Sequence, residues 1–177
     1  MAKKILSATL SVSSIQQLQK DLKRYQEYLT NKAAQFAKRL SEEGVDIAQV
    51  QIADLDAIFT GELIASIHSK YIDSTKHGAI FAVVADSSHA CMVEFGTGQH
   101  GEDKPYPYPL PNGVSWDYNV GKTIRQNAVT GRYYWFYLGQ DGLWHYTEGL
   151  SSRPFMYLTN MELIKKVPKI AKEIFEK

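Results

Sequence analysis

The stretch Ser14–Gly44, SIQQLQKDLKRYQEYLTNKAAQFAKRLSEEG, decides the fold class. Ile15, Leu18, Leu22, Tyr25, Leu29, Phe36 and Leu40 recur at helical spacing, which places them on one face of an α-helix. Ser14 and Gln17 form a capping box at its start, and Gly44 supplies a C-terminal stop. At 1.5 Å per residue the helix is about 40 Å long, more than one small sheet covers, so part of its stripe is expected to meet another subunit.

Outward from this helix the patterns change period. Leu6, Ala8, Leu10 and Val12 alternate with Ser7, Thr9 and Ser11, which predicts a strand over Lys4–Val12. A linker around Ala53–Phe59 leads to Thr60-Gly61-Glu62-Leu63, a helix start with the Thr60 hydroxyl placed to accept backbone N–H bonds, and this helix ends near Ile67. Residues 67–72 and 79–85 then predict paired antiparallel strands around Asp73–Gly78.

Between Gly98 and Gly149 the prolines of Pro105-Tyr106-Pro107-Tyr108-Pro109-Leu110-Pro111 disfavour helix and central strand. Tyr133–Leu138 and Leu143–Thr147 flank Gly139-Gln140-Asp141-Gly142, which predicts a long loop ending in an aromatic hairpin. A last helix follows Arg153-Pro154, burying Phe155, Leu158, Leu163, Val167, Ile170 and Ile174, with Pro168 as a point of kinking. The expected fold class is α+β. A single domain over residues 1–177 packs a small antiparallel or mixed sheet with the long N-terminal helix and the C-terminal helix, and carries an insertion at about 99–148.

Composition narrows the function classes. The 177 residues, 44% hydrophobic and 22% charged, suit a soluble globular protein, and the 12% aromatic share is raised chiefly by residues 106–146. Residues 1–40 carry eight Lys/Arg against two Asp/Glu, and residues 41–158 carry seven against fourteen. A basic helix beside an acidic middle is a solvated face, or orients subunits against one another or near nucleic acid. The lone Cys91 excludes an intrachain disulfide and cysteine-built zinc frameworks. No apolar run approaches the ~20 residues that span a bilayer, and Met1-Ala2-Lys3-Lys4 leads into an alternating segment rather than a signal-peptide core, so no membrane partner is expected.

Several motifs suggest chemistry. Gly96-Thr97-Gly98-Gln99-His100-Gly101 matches the dinucleotide fingerprint, but acidic residues and prolines follow where a helix N-terminus is needed, so the glycines are read as turn formers. His89, Cys91 and His100 lack the spacing and second shell of a zinc site. Ser87 and Ser88 beside His89 show neither a nucleophile elbow nor an orienting carboxylate. Arg125, Arg132, Tyr133, Tyr134, Trp135 and Phe136 suit stacking on single-stranded nucleic acid, or, with Trp144, anchoring in a neighbouring subunit. The second use is preferred for a loop projecting from a small domain.

The order of motifs carries a resemblance. Thr60-Gly61-Glu62-Leu63 with Ser66-Ile67, then Val93-Glu94-Phe95-Gly96-Thr97-Gly98, Thr147-Glu148-Gly149 and Arg153-Pro154-Phe155-Met156 resemble tailed-bacteriophage tail-component proteins of the neck or tail-completion family. The resemblance runs from the first long helix to the last, strongest at Glu94–Gly98 and Arg153–Met156. It implies an α+β subunit in a homo-oligomeric ring of six at the head–tail junction of the virion, assembled in the bacterial host cytoplasm. Its partners would be neighbouring head-completion and tail-tube or tail-terminator proteins, with non-specific contact to DNA in the lumen. It implies no cofactor, no metal and no catalysis. The Gly98–Gly149 segment is longer than in shorter members.

In physical terms, an element with Val93 and Phe95 on its core side ends at Gly96, Glu94 is left near the turn, and Arg153 pairs with it within the fold or across a subunit boundary. Pro154 then starts the last helix and Phe155 enters the core. The assembly motif is thus Glu94, Phe95, Gly96, Thr97, Gly98, Arg153, Pro154 and Phe155, and the candidate interface is Tyr133, Tyr134, Trp135, Phe136 and Trp144. The alternative from another class is a nucleic-acid-binding module using the basic first helix and the Arg/aromatic hairpin. A third, a metal hydrolase on His89, His100 and His145, has the least behind it.

Overall fold

In the computed structural model, which describes residues 7–57, 61–119, 124–139 and 141–176, the first helix is longer than its stripe predicts: α1 covers Val12–Asp54. Gly44 lies inside it and does not stop it. A Cβ at Gly44 would sit 2.6 Å from Val83 Cγ2 and 3.3 Å from Leu163, so the glycine is there for close approach. The cap also moves toward the N-terminus. The Ser11 hydroxyl accepts the Ser14 N–H at 3.3 Å, and Ser14 Oγ accepts the Thr9 N–H at 2.9 Å.

The expected N-terminal strand does not form. Residues 7–11 are not in a strand, Val12 already belongs to α1, Leu10 is fully exposed, and residues 4–6 lie outside the described residues. Alternation supplies one face of a strand but not the neighbouring edge that stabilises it. Here the Ser11 cap recruits the segment's end into the helix instead.

The remaining elements are α2 (Glu62–Ser66), β1 (Ile67–Thr75), β2 (Gly78–Ala85), α3 (Ala90–Phe95), α4 (Gly98–Asp103), β3 (Arg125–Gln126), β4 (Tyr133–Leu138), β5 (Trp144–Thr147), β6 (Gly149–Leu150) and α5 (Phe155–Phe175). The fold is α+β: long first and last helices with small antiparallel sheets. The Thr60 cap lies outside the described residues. The chain divides into two compact units, one of Met1–Ile47, Ile67–Val84 and Asn160–Lys177, the other of Ala48–Ser66 and Ala85–Thr159.

In the first unit, β1 and β2 pair as a hairpin across a turn at Lys76-His77, shorter than the expected six-residue connection because Asp73–Thr75 remain in the strand. α1 and α5 run antiparallel, as Phe36 meets Phe175 at 6.0 Å between ring centroids and Lys166 binds Glu43 at 2.6 Å. Lys166, and then Arg39, hold the Glu43 carboxyl below its ordinary value. Ile47, Ile67 and Ile170 are buried here. α5 passes through Pro168 unbroken; the proline lacks the N–H that would bond the Ile164 carbonyl, and Ile164 lies on an exposed side of the helix.

The second unit buries Ala48, Ile52, Ala57, Leu63, Ala90, Val93 and Phe155. Its three-stranded sheet, ordered β3-β4-β5, lies wholly in the segment expected as an insertion. Antiparallel bridges Thr97↔Leu150 and Gly98↔Gly149 close that segment at its base. No helix among the described residues is long and apolar enough to cross a membrane.

Candidate assembly interface

Glu94 organises the base of the insertion. α3 carries it into the interior, where it is only 6% exposed. Its Oε2 accepts the Met156 N–H at 2.8 Å and its Oε1 the Tyr157 N–H at 3.1 Å, so the carboxylate caps the N-terminus of α5. Pro154 holds the N-cap position, its carbonyl accepting the Leu158 N–H at 3.1 Å, and has no side-chain acceptor of its own. Glu94 supplies that acceptor from across the fold, with its negative charge at the positive end of the helix.

The intrachain ion pair expected between Glu94 and Arg153 is therefore not formed. Arg153 contributes its backbone instead, its N–H bonding the Val93 carbonyl at 2.8 Å, while Ser152 Oγ donates to the Glu94 carbonyl at 2.7 Å. Two helix N–H groups reach a buried carboxylate without the entropy of ordering a long arginine. Arg153 lines an open cleft of about 370 Å³ with His100 and Lys104. Burial pushes the Glu94 carboxyl above its ordinary value, outweighing the Met156 and Tyr157 N–H groups. Burial, with the Glu94 charge beside it, pushes the Tyr106 phenol up to about 12.

The glycine turn is a packing device. Gly96 ends α3 at φ 85°, and a Cβ there would lie 2.8 Å from the Ser152 N and 2.9 Å from the Leu150 carbonyl. Thr97, 2% exposed, accepts the Leu150 N–H through Oγ1 at 3.1 Å. A short helix, α4, does begin at Gly98, contrary to the sequence expectation. Its leading donors serve the chain's own carbonyls, however: the Gly98 N–H meets Tyr118 O at 2.6 Å and the His100 N–H meets Glu148 O at 3.1 Å. Those are the donors a pyrophosphate would need.

Five rings lock the proline-rich segment onto this base. Phe95 lies 5.0 Å from both Tyr106 and Trp116, and Tyr108 stacks on Tyr157 at 3.7 Å. Trp116 Nε1 donates to the Gly96 carbonyl at 2.8 Å. Sequence reasoning missed Tyr106, Tyr108, Trp116 and Tyr157. The alternation of Tyr with Pro was the signal for Tyr106 and Tyr108, since an extended segment with fixed φ presents its rings at a regular repeat; Trp116 and Tyr157 had none.

The hairpin sorts its side chains by register. Phe136↔Tyr146 and Leu138↔Trp144 are cross-strand partners, so Tyr134, Phe136, Leu138, Trp144 and Tyr146 share one face. Tyr134 and Phe136 each contact Tyr146, at 5.2 and 5.8 Å between centroids. That face is open: Trp144 is 70% exposed, Leu138 59% and Tyr146 52%. Of the five residues expected to act together, Tyr134, Phe136 and Trp144 do share it. Tyr133 and Trp135 are set on the opposite face, where the Trp135 ring occupies the space a Cβ on Gly98 would need. Arg132 ties the hairpin to its base, with Nε to Glu148 at 2.7 Å and NH2 to Asp103 at 3.0 Å. Gln99 and Arg132 lower the Asp103 carboxyl, and Tyr146 and Arg132 lower that of Glu148.

The residues considered for catalysis are placed differently. Ser87 Oγ lies 2.8 Å from His89 Nδ1 and donates to Glu62 Oε1 at 3.2 Å, so a carboxylate does stand beside this pair. Ser87 Oγ also lies 3.3 Å from His89 Nε2, and Glu62 Oε1 lies 3.9 Å from Nδ1, so serine and carboxylate crowd the same imidazole rather than taking opposite ring nitrogens one each. His145 closes the hairpin turn by bonding Asp141, whose carboxyl is lowered by the Leu143 N–H and then by His145. Among the described residues no three His, Cys, Asp or Glu side chains gather to hold a metal, and His89, Cys91 and His100 are not brought together. No family model matches the chain, and no curated protein or solved structure matches it.

Proposed function

We propose that this chain is a non-catalytic structural subunit of a tailed-bacteriophage virion, forming a homo-oligomeric ring of six at the head–tail junction that completes the tail or joins it to the head. The observation that carries this reading is the hairpin face of Tyr134, Phe136, Leu138, Trp144 and Tyr146, presented to solvent on a base fixed by Glu94 and Arg132. Large rigid rings held open in this way are the anchors that dominate protein interfaces, since they lose little freedom on binding. The motif order from Thr60 to Met156 supplies the location; the open rings supply the means. Function then resides in interface surfaces, the hairpin face meeting a different patch of the next copy, rather than in a reacting centre.

The alternative, a nucleic-acid-binding module, has less behind it. Arg132, which would lead the cationic part of such a surface, is already held by two carboxylates. A reconstruction of virions with this chain labelled is expected to place it in a ring between head and tail. Salt-sensitive binding of short DNA by monomers, with no chain in the particle, would replace this reading with the alternative.

A further inference from the structure

Arg132 and Arg153 differ in what holds their charge. Arg132 gives Nε to Glu148 at 2.7 Å and NH2 to Asp103 at 3.0 Å. The Arg153 side chain forms no hydrogen bond or ion pair among the described residues, although the residue is half-buried. Its backbone is clamped instead: the N–H bonds the Val93 carbonyl and the carbonyl accepts the Phe155 N–H, each at 2.8 Å. A guanidinium partly withdrawn from water without a carboxylate is unfavourable, and an anion that reaches it offsets that cost.

Arg153 lines the open cleft of about 370 Å³ together with Lys104, His100, Asp103 and Ser151. The chain's own bonds fix the backbone around it. The His100 N–H meets Glu148 O at 3.1 Å, the Lys104 N–H meets His100 O at 3.1 Å, and the Ser152 N–H meets Lys104 O at 3.4 Å. The side chains of Lys104 and His100, like that of Arg153, have no hydrogen-bond or ion-pair partner among the described residues. The carboxylates whose charge His100 feels, Asp103 and Glu148, are both taken up by Arg132, with Gln99 and Tyr146 as their further donors. Lys104 and Arg153 thus leave two positive charges in the cleft that no carboxylate of the described residues matches.

We propose that this cleft binds a phosphate dianion, free or as a terminal monoester, through the Arg153 and Lys104 side chains, with the His100 ring and the Ser151 hydroxyl as further donors. The charge count selects the ligand. A phosphate monoester carries about −1.5 to −2 near neutral pH and three acceptor oxygens, which match two cations and two further donors. A carboxylate brings a single charge and two oxygens. The planar guanidinium bridges two oxygens of such a group, and the ammonium serves as a point charge beside it. The site is built from side chains, unlike the glycine turn, whose Gly98 and His100 N–H groups are consumed by the fold. All of these residues belong to the second compact unit of one chain, so the inference does not rest on the ring reading.

The test is equilibrium dialysis of the full chain, in whatever assembly it forms, against radiolabelled inorganic phosphate near neutral pH at constant ionic strength. About one phosphate per chain is expected, half-saturating below about 1 mM. Arg153→Ala and Lys104→Ala are each expected to raise that concentration at least about tenfold. Their circular dichroism is expected to stay native, because neither side chain bonds another described residue. Arg153→Lys, which keeps the charge but not the fork, is expected to fall between. Glycerol phosphate displacing the label at a lower concentration than unlabelled inorganic phosphate names a monoester as the ligand, and the reverse order names the free ion. No saturable phosphate, variants that bind as the native chain does, or equal displacement by acetate or by duplex DNA with hydroxyl ends would overturn the proposal.

Discussion

The aromatic residues between Phe95 and Tyr157 form two groups with opposite surroundings. At the base, Phe95, Tyr106, Tyr108, Trp116 and Tyr157 pack on one another beside a buried carboxylate that caps α5. On the hairpin, Phe136, Leu138, Trp144 and Tyr146 lie on one exposed face. Both groups are rich in rings, yet the first is packed by the fold while the second is left largely exposed. Aromatic content alone therefore does not tell a structural cluster from a binding one; the sequence-local partner does, and at the base that partner is the proline-fixed segment.

The sharpest way to break this comparison is to remove the centre of the base. Glu94→Ala leaves the Met156 and Tyr157 N–H groups buried without acceptors, and is expected to cost about 2–4 kcal/mol in urea unfolding. Glu94→Gln, which keeps one acceptor oxygen, is expected to cost less. Next comes Trp116→Ala, which deletes a partly buried ring and its bond to Gly96, with an expected loss of about 2 kcal/mol by the same measurement. On the hairpin the expectation inverts. Trp144→Ala is expected to change stability by less than about 0.5 kcal/mol, yet weaken association of copies by about 2 kcal/mol or more in sedimentation. Equal stability losses at Trp116 and Trp144 would erase the distinction between the two groups.

A smaller effect separates them by pH. The Glu94 carboxyl is raised on folding, so its contribution is full below the unfolded value and is lost as pH rises through the folded one. Asp103 and Glu148 are lowered, so theirs is present above the unfolded value and lost as pH falls through the folded one. Acidification from neutrality is thus expected to firm the base first and loosen the Arg132 tether only at the most acid end. Amide exchange at α5's first turn and at β4 measures the two separately, and Glu94→Gln is expected to flatten only the former.

What was legible in the sequence follows from the range of each interaction. The stripe of α1, the β1–β2 pair and the aromatic hairpin rest on local periodicity and turns, and each is present, the strand ends shifted by a few residues and the end of α1 by ten, from Gly44 to Asp54. The N-terminal strand failed because alternation from Leu6 to Val12 states a face without a neighbour, and the Ser11 cap outcompeted it. Gly44 was misread because its contacts, Val83 and Leu163, are distant in the chain. The Glu94–Arg153 ion pair expected from the motif order is replaced by a helix cap made through backbone N–H groups 62 and 63 residues away, and no side-chain charge in the sequence announces it.

The central claim is that the open hairpin rings join copies of this chain into a ring. Native mass spectrometry of the full chain beside Trp144→Asp tests it most directly. The account predicts a discrete assembly of six copies for the native chain and no more than pairs for the variant, both folded alike. A native chain found only as monomer, or a variant that still assembles as six, would contradict it.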